Sequence, residues 1–354
     1  MKIIEKQMNI DFKVSDYIKN IKNEDVIIFD IETTGFVANR TYLYLIGYIL
    51  CENGNWVFKQ LFAENIIDES EILYTFYDEL LKRKTLIHFN GDTFDIPYLI
   101  KKSNQLNISN KFNDINSIDI YKIVKPFKKI FKMDSMKLKN IEKFLGIYRE
   151  DQFTGGDLIS QYYDYLTTKD KSLEINLLLH NEEDLMNLPK VFEFLTYINT
   201  LNSLKSGNFK IDEINNIDQS YEVVLNKISP FNLSFDGFNY KLKFEKDKNI
   251  KLYQNIINTE LKYFLDDHKD YFFIPDMNKA IHKTIASSLP SERKEKAKKS
   301  TCYIPHHSNF INVFNNSINL KIFKSDYKSK ELFVESNAEN IVDVFHKNII
   351  DILN

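Results

Sequence analysis

Residues 26–35 read VIIFDIETTG, and this stretch decides the fold of the first half of the chain. It begins with a short apolar run, β-branched at its start, which is typical of a strand buried on both faces. The run leads directly into Asp30 and Glu32, and residues two apart in an extended backbone project to the same side. Two such carboxylates beside a buried strand repel each other unless a cation lies between them. The stretch therefore predicts a divalent metal site at the end of a strand.

The composition is that of a folded protein with two domains. The chain has 354 residues, more than one core usually absorbs, and 43% of them are hydrophobic. Its formal net charge is only −3, so a polyanionic partner must be held by local patches. Cys51 and Cys302 are far apart, which argues against a disulfide scaffold and favours a reduced, cytoplasmic setting. No run approaches the length that spans a membrane, and we expect no membrane partner.

The segments that follow predict an α/β sheet of mixed direction. Strands are expected at 42–50, 56–62 and 85–89, and the Asn-Gly step at 53–54 is a hairpin signal. Residues 69–82 have the spacing of an amphipathic helix, and a further strand is expected to end at Asp119. With the strand at 26–33, this gives a five-stranded sheet flanked by helices. Residues 1–24 carry no motif and are expected to be a short leader.

A third carboxylate follows the strand at 85–89. Asn90-Gly91 supplies a turn, and a helix is expected from Phe94 to about residue 102. Asp95 would lie in the first turn of that helix, where unpaired N–H groups favour a carboxylate, so helix capping is the alternative to metal binding. Because the helix begins at the sheet edge from which Asp30 and Glu32 emerge, Asp95 is a candidate ligand.

A second helix supplies the remaining candidates. It is predicted over 172–187 and is expected to stop near Pro189, which interrupts helical hydrogen bonding. His180 and Asp184 are four residues apart and therefore share one helical face. Glu182 and Glu183 are expected to point to solvent.

These segments resemble a known family. DIETTG, the set formed by Asn90, Phe94 and Asp95, and a helix with an acid four residues after a histidine are similar to the three motifs of the DEDD (DnaQ-like) superfamily of 3′–5′ exonucleases. YLIGY, HFNGDTFDIPYL, LKNIEKFLGIYREDQFTGGDLI and HNEEDLMNL resemble the YprB-type RNase H-like proteins. The resemblance covers residues 25–200 and implies an RNase H-like fold, two Mg²⁺ or Mn²⁺ ions, and DNA or RNA as substrate.

The resemblance also implies roles for individual residues. By position, the four metal ligands are Asp30, Glu32, Asp95 and Asp184. The residues implied at the substrate are Thr33, Thr34, Asn90 and Phe94; for Phe94 a place in the core is the alternative.

His180 departs from the pattern of the superfamily. One branch has a tyrosine four residues before the last acid, and another has a histidine five residues before it. This chain has a histidine at the tyrosine spacing. A neutral imidazole, with an ordinary pKa of about 6.5, accepts a proton far better than a phenol with a pKa of about 10. We therefore expect His180 to orient or deprotonate the attacking water.

The expected function is a two-metal-ion nuclease that hydrolyses phosphodiester bonds, acting as a 3′–5′ exonuclease. Two alternatives remain, a structure-specific endonuclease on the same fold and a catalytically silent nucleic-acid-binding protein. We expect the RNase H-like domain to span 1–204 and a smaller α+β accessory domain to span 205–354. In the latter, strands are expected within 209–250 and helices at 249–264 and 340–353.

Overall fold

The run at 26–29 lies inside a mixed sheet of six strands in the computed structural model, which describes residues 1–316 and 319–354. In chain order these strands are β1 (Lys2–Met8), β2 (Val26–Thr33), β3 (Leu43–Glu52), β4 (Asn55–Phe62), β5 (Thr85–His88) and β6 (Asn116–Asp119). Their spatial order is β1-β4-β3-β2-β5-β6. Strand β2 runs antiparallel to β3 and parallel to β5, which is parallel to β6. The sheet belongs to the first of two compact units, Met1–Ile198 and Asn199–Asn354.

The prediction of five strands was wrong because β1 was missed. Lys2–Met8 pairs antiparallel with β4 along its whole length. As an edge strand it is mostly exposed on both faces, so its sequence, KIIEKQM, lacks the alternation of a half-buried strand. On the neighbouring strand β4, the indole N–H of Trp56 donates to the Phe12 carbonyl at 2.8 Å, and the indole ring packs on the Phe12 ring.

Helices cover the sheet, and the last of them is longer than predicted. They are α1 (Glu69–Leu80), α2 (Asp95–Gln105), α3 (Ile120–Val124), α4 (Leu138–Phe144), α5 (Gly155–Thr168) and α6 (Lys171–Lys205). Helix α6 continues through Pro189, contrary to the prediction. A proline removes one helical hydrogen bond, but the flanking residues Leu188 and Val191 are buried and hold the helix by packing.

The second unit is built mainly from strands. Its elements are β7 (Ile211–Ile217), β8 (Ser220–Ile228), β9 (Leu233–Asp236), β10 (Tyr240–Phe244), β11 (Asn249–Asn255), β12 (Ile257–Phe264), β13 (Tyr271–Ile274), β14 (Lys279–His282), α7 (Lys283–Ala286), β15 (Glu295–Lys296), β16 (Tyr303–Val313), β17 (Phe323–Lys324), β18 (Leu332–Glu335) and α8 (Ile341–Leu353). They form a sheet β7-β8-β11-β10-β9, a closed barrel β12-β16-β18-β17 and a small sheet β14-β13-β15.

Two predictions for this unit have different outcomes. The helix at 340–353 is confirmed as α8. The helix at 249–264 is wrong, because this segment forms β11 and β12. Ile250, Leu252 and Gln254 are buried while their neighbours are half-buried, which is the two-residue period of a strand. The α+β expectation therefore gives way to a mostly β architecture. Among the described residues, none of the helices combines the length and the apolar character needed to cross a bilayer.

Candidate active site

Asp30 and Glu32 lie near the end of β2, separated by one residue and on the same side of the strand. Asp30 pairs across the sheet with Gly47, and its carboxylate accepts a hydrogen bond from the Asn181 amide at 2.9 Å. Burial raises the pKa of both carboxyls well above their ordinary values. For both carboxyls, the second-largest cause of the raised pKa is the negative charge of Asp184. For Asp30, the charges of Glu32 and Asp95 come next.

Asp95 is the first residue of α2 and is only 6% exposed. Burial raises the pKa of its carboxyl from 3.8 to about 7, against the effect of a backbone hydrogen bond, and the charges of Asp119 and Asp184 add to the rise. Asp184 lies on α6 and forms an ion pair with Arg149. The structure thus brings together all four predicted carboxyls, from β2, α2 and α6, and the charge of Asp184 contributes to the raised pKa of each of the other three.

His180 lies on the same face of α6 as Asp184. Its Nε2 is 3.7 Å from Glu32 Oε1, and its Nδ1 is 2.6 Å from Asp151 Oδ2. One ligand atom each from Glu32, His180 and Asp184 lies within 4.8 Å of the others, a spacing that could hold a metal ion. Two of these ligand atoms are carboxylate oxygens, which suit a hard divalent cation such as Mg²⁺ or Mn²⁺, and the third is an imidazole nitrogen.

Gly47 of β3 allows α6 to pack close to the sheet beside the end of β2. A Cβ at this position would lie 1.9 Å from Asn181 Oδ1 and 2.5 Å from Leu185 Cδ1, so only glycine fits beneath the helix. Asn181, fully buried, accepts from Gln60 of β4 at 3.0 Å and donates to Asp30. This close approach brings His180 and Asp184 to the end of β2.

Two of the predicted substrate-binding residues lie at the end of β2, directly after Glu32. Thr33 and Thr34 are buried, and their hydroxyls are used locally: Thr33 donates to the Gly35 carbonyl at 2.9 Å, and Thr34 accepts from the Tyr42 N–H at 2.9 Å.

Asn90 and Phe94 lie beyond β5. Asn90 has a left-handed backbone with φ of 68°, and its N–H donates to Asp119 at 2.8 Å. Phe94 is half-buried against the core, with its ring centre 5.6 Å from that of Phe36, which is 86% exposed.

The loop between α4 and α5 contributes residues that sequence reasoning missed. Arg149 joins Asp184 to the buried Glu142, donating to both carboxylate oxygens of Glu142 through Nε and Nη2. Asp151 contacts His180. The expectation that Glu183 points to solvent is wrong, because it accepts from the N–H groups of residues 150 and 151 at 2.7 and 2.9 Å. The same is true of Glu182, which is paired with Lys6 at 2.6 Å. No spacing in the sequence signals these contacts, which depend on where the loop passes.

A second group of possible ligands lies at the ends of β5 and β6. Atoms of His88, Asp92 and Asp119 lie within 4.8 Å of one another. Here a cation is already supplied, since the Lys122 ammonium lies 2.6 Å from Asp92. His88 Nε2 is also engaged, at 2.7 Å from the Ser117 hydroxyl. Each of the two groups thus has a basic side chain paired with one of its carboxylates, Lys122 here and Arg149 at Asp184.

Comparison with known proteins bears on the first unit most directly. Residues 27–196 match the model of the RNase_H superfamily. Over 376 aligned residues the chain is 22% identical to the DNA polymerase III PolC-type of Ureaplasma parvum serovar 3, an alignment that covers 95% of this chain and 25% of that protein. The chain thus spans about a quarter of the length of this curated relative.

Similarity to solved structures is low. The family B DNA polymerase from the hyperthermophilic archaeon Pyrobaculum calidifontis has 14% identity and a TM-score of 0.41, covering 73% of this chain and 39% of that one. A structure described as the apo form of the nuclease has 18% identity and a TM-score of 0.25, covering 51% and 86%. The fold assignment does not depend on either. The superfamily match runs from β2 to α6, and so takes in the mixed sheet except for its edge strand β1; it supports an RNase H-like fold for residues 27–196.

Proposed function

We propose that this chain is a metal-dependent nuclease that hydrolyses phosphodiester bonds of DNA or RNA as a 3′–5′ exonuclease, of the YprB type within the DEDD superfamily. The observation that carries the proposal is the convergence of Asp30, Glu32, Asp95 and Asp184. These carboxyls come from three separate elements, and burial, followed by the charges of neighbouring carboxyls, disfavours the charged forms of Asp30, Glu32 and Asp95. Such a cluster is costly to the folded protein unless a cation binds there.

The four carboxylates would hold two Mg²⁺ or Mn²⁺ ions. When bound, such ions supply an activated water and stabilise the charge on the leaving 3′ oxygen. The protein's own part is to fix the ligands on rigid elements, a strand and two helices. His180 would take the proton of the attacking water at Nε2, and Thr33, Thr34, Asn90 and Phe94 would border the terminal nucleotide. Residues 205–354 would hold the substrate as an accessory domain.

Asp30→Asn tests the metal site. The variant keeps the shape of the side chain but loses a carboxylate beside the other three. We expect it to lose detectable Mg²⁺- or Mn²⁺-dependent cleavage of labelled DNA and RNA while keeping the wild-type circular dichroism spectrum. Asp114→Asn, the same change at an exposed position of the first unit, should cleave like the wild type. Cleavage by Asp30→Asn at the wild-type rate would refute the proposal.

A second experiment tests whether degradation begins at the 3′ end of a strand. A 3′–5′ exonuclease releases mononucleotides from a 5′-labelled linear strand in order and leaves circular single strands intact. Cleavage of the circles would favour the endonuclease alternative. Metal-dependent binding of nucleic acid without any cleavage would favour a silent binding protein.

A further inference from the structure

Asp151 and His180 form a buried carboxylate–imidazole pair next to the four acids. Asp151 Oδ2 is 2.6 Å from His180 Nδ1, and the Asp151 side chain is only 1% exposed. Because an ionised carboxylate only accepts hydrogen bonds, this contact requires the proton on Nδ1. The other ring nitrogen, Nε2, then faces Glu32, 3.7 Å from Oε1.

Asp151 is itself held from several directions. Its Oδ1 accepts from the N–H of Phe153 at 3.0 Å, and the Lys139 ammonium donates to Oδ2 at 3.0 Å. Its own N–H donates to Glu183 at 2.9 Å. Since Glu183 and His180 are on the same helix, the loop that carries Asp151 is anchored to the element that carries the imidazole. The pair therefore has a fixed geometry rather than the freedom of a surface contact.

We infer that Asp151 is a positioning residue, which holds the proton of His180 on Nδ1 and presents Nε2 to the carboxylate cluster as a proton acceptor. The catalytic consequence rests on the proposed nuclease function, whereas the position of the proton does not. In hydrolysis, a water proton would pass to Nε2 as the water oxygen bonds to phosphorus. The phosphorus–O3′ bond breaks with its electron pair on O3′, which takes a proton from solvent.

Asp151→Leu is informative because leucine has a similar volume and no hydrogen-bond acceptor. Asparagine would not serve, since its amide could turn its oxygen toward His180 and Lys139, as Oδ2 of Asp151 does, and keep the proton on Nδ1. In Asp151→Leu the Nδ1 proton has no acceptor, whereas Glu32 can still accept from Nε2, so the ring proton moves to Nε2. A ring protonated at Nε2 has no lone pair there with which to accept a proton from water.

The first measurement is the protonation state of each ring nitrogen of His180 in the full chain. We would read it from ¹⁵N chemical shifts in long-range ¹H–¹⁵N spectra of histidine-labelled protein, with the His180 signal assigned by its loss in His180→Ala. We expect a protonated Nδ1 in the wild type and in Asp157→Asn, a control change in the same region that leaves His180 untouched. We expect an unprotonated Nδ1 in Asp151→Leu. An unprotonated Nδ1 in the wild type overturns the inference, even if no variant folds, and so does an Nδ1 that stays protonated in Asp151→Leu.

The second measurement is kinetic and applies if the chain is a nuclease. Asp151→Leu should lower kcat by about 10–100-fold with little change in KM, the range typical of losing the partner that orients a histidine in a metal site. In the His180→Ala background it should lower kcat no further, whereas an additional loss there would overturn a role through His180. If the proposed function is wrong, neither the wild type nor any variant will cleave nucleic acid. The spectra alone then decide which nitrogen of His180 carries the proton.

Discussion

At the scale of single residues, the carboxyls around β2 destabilise the folded state when no cation is bound. Burial and mutual repulsion both raise the pKa values of Asp30 and Glu32, and burial raises that of Asp95 to about 7. The partner groups reduce this cost only in part: Asn181 donates to Asp30, and Arg149 pairs with Asp184. The electrostatic repulsion at the site therefore lowers the stability of the metal-free protein, and a bound cation would remove this effect.

The stability of the metal-free protein should depend on pH in a definite direction. The pKa of Asp95 is raised from 3.8 to about 7, so in this interval the folded state binds a proton that the unfolded state has released. Stability therefore falls as pH rises from about 4 to about 7, and the loss is complete above the folded value. Asp95→Asn, which cannot ionise, should be more stable than the wild type at pH 8, and this advantage should vanish near pH 4.

Urea unfolding in EDTA at both pH values measures this difference. Asp114→Asn, at an exposed position, serves as the control and should follow the wild type. If the free energy of unfolding of Asp95→Asn differs from that of the wild type by the same amount at the two pH values, the pKa of Asp95 is not raised by folding.

At the scale of elements, α6 does most to assemble the site. It passes over β3 at Gly47, places Asn181 against Asp30, and carries His180 and Asp184 on adjacent turns. The spacing of these last two residues was readable from the sequence because a helix repeats in a fixed way. The continuation through Pro189 was not, since it depends on burial of the following turns, which outweighs the local loss of a hydrogen bond.

Gly47→Ala tests the close approach of α6 to β3. The added methyl group would meet the Asn181 and Leu185 side chains inside normal contact distance, so these side chains must move, and the Asn181 amide with them. We expect a loss of about 1–3 kcal/mol in the free energy of unfolding, as for other overpacked interiors. Thermal or urea unfolding gives the value.

Gly155→Ala is the matched control for that change. Gly155 is the first residue of α5, and a Cβ there meets nothing within 4 Å. This variant should be as stable as the wild type or slightly more stable, because alanine favours a helix over glycine. Equal stability of the two alanine variants would contradict a steric role for Gly47.

At the scale of the whole molecule, the two units differed in how well the sequence predicted them. In the first, the acids at strand and helix ends, together with the family resemblance, led to Asp30, Glu32, Asp95, His180 and Asp184 as the proposed site residues. Strand β1 and the loop with Arg149 and Asp151 could not be predicted in this way, since an exposed edge and a loop path leave no periodic pattern. In the second unit, short strands such as β11 and β12 have apolar spacings that also fit a helix, and only pairing with neighbouring strands decides between them.

Mg²⁺ should stabilise the chain by mass action if the carboxylate cluster binds it. An ion that binds only the folded state raises the free energy of unfolding by about 2.7 kcal/mol at a free concentration of about 100 times its Kd. The melting temperature should therefore rise steadily with added Mg²⁺ or Mn²⁺ in the wild type and in Asp114→Asn. It should stay constant in Asp30→Asn, and an equal rise in that variant would place the binding elsewhere.

Trp56 has a practical consequence for such experiments. It is the one tryptophan of the chain, it lies in β4 of the first unit, and it is 3% exposed. Light of a wavelength that excites indole but not phenol therefore yields emission from the first unit alone, although the chain also has 20 tyrosines. Its red shift on denaturation follows the RNase H-like domain in the intact chain, so the effect of an ion on that domain can be followed without cutting the protein or attaching a dye.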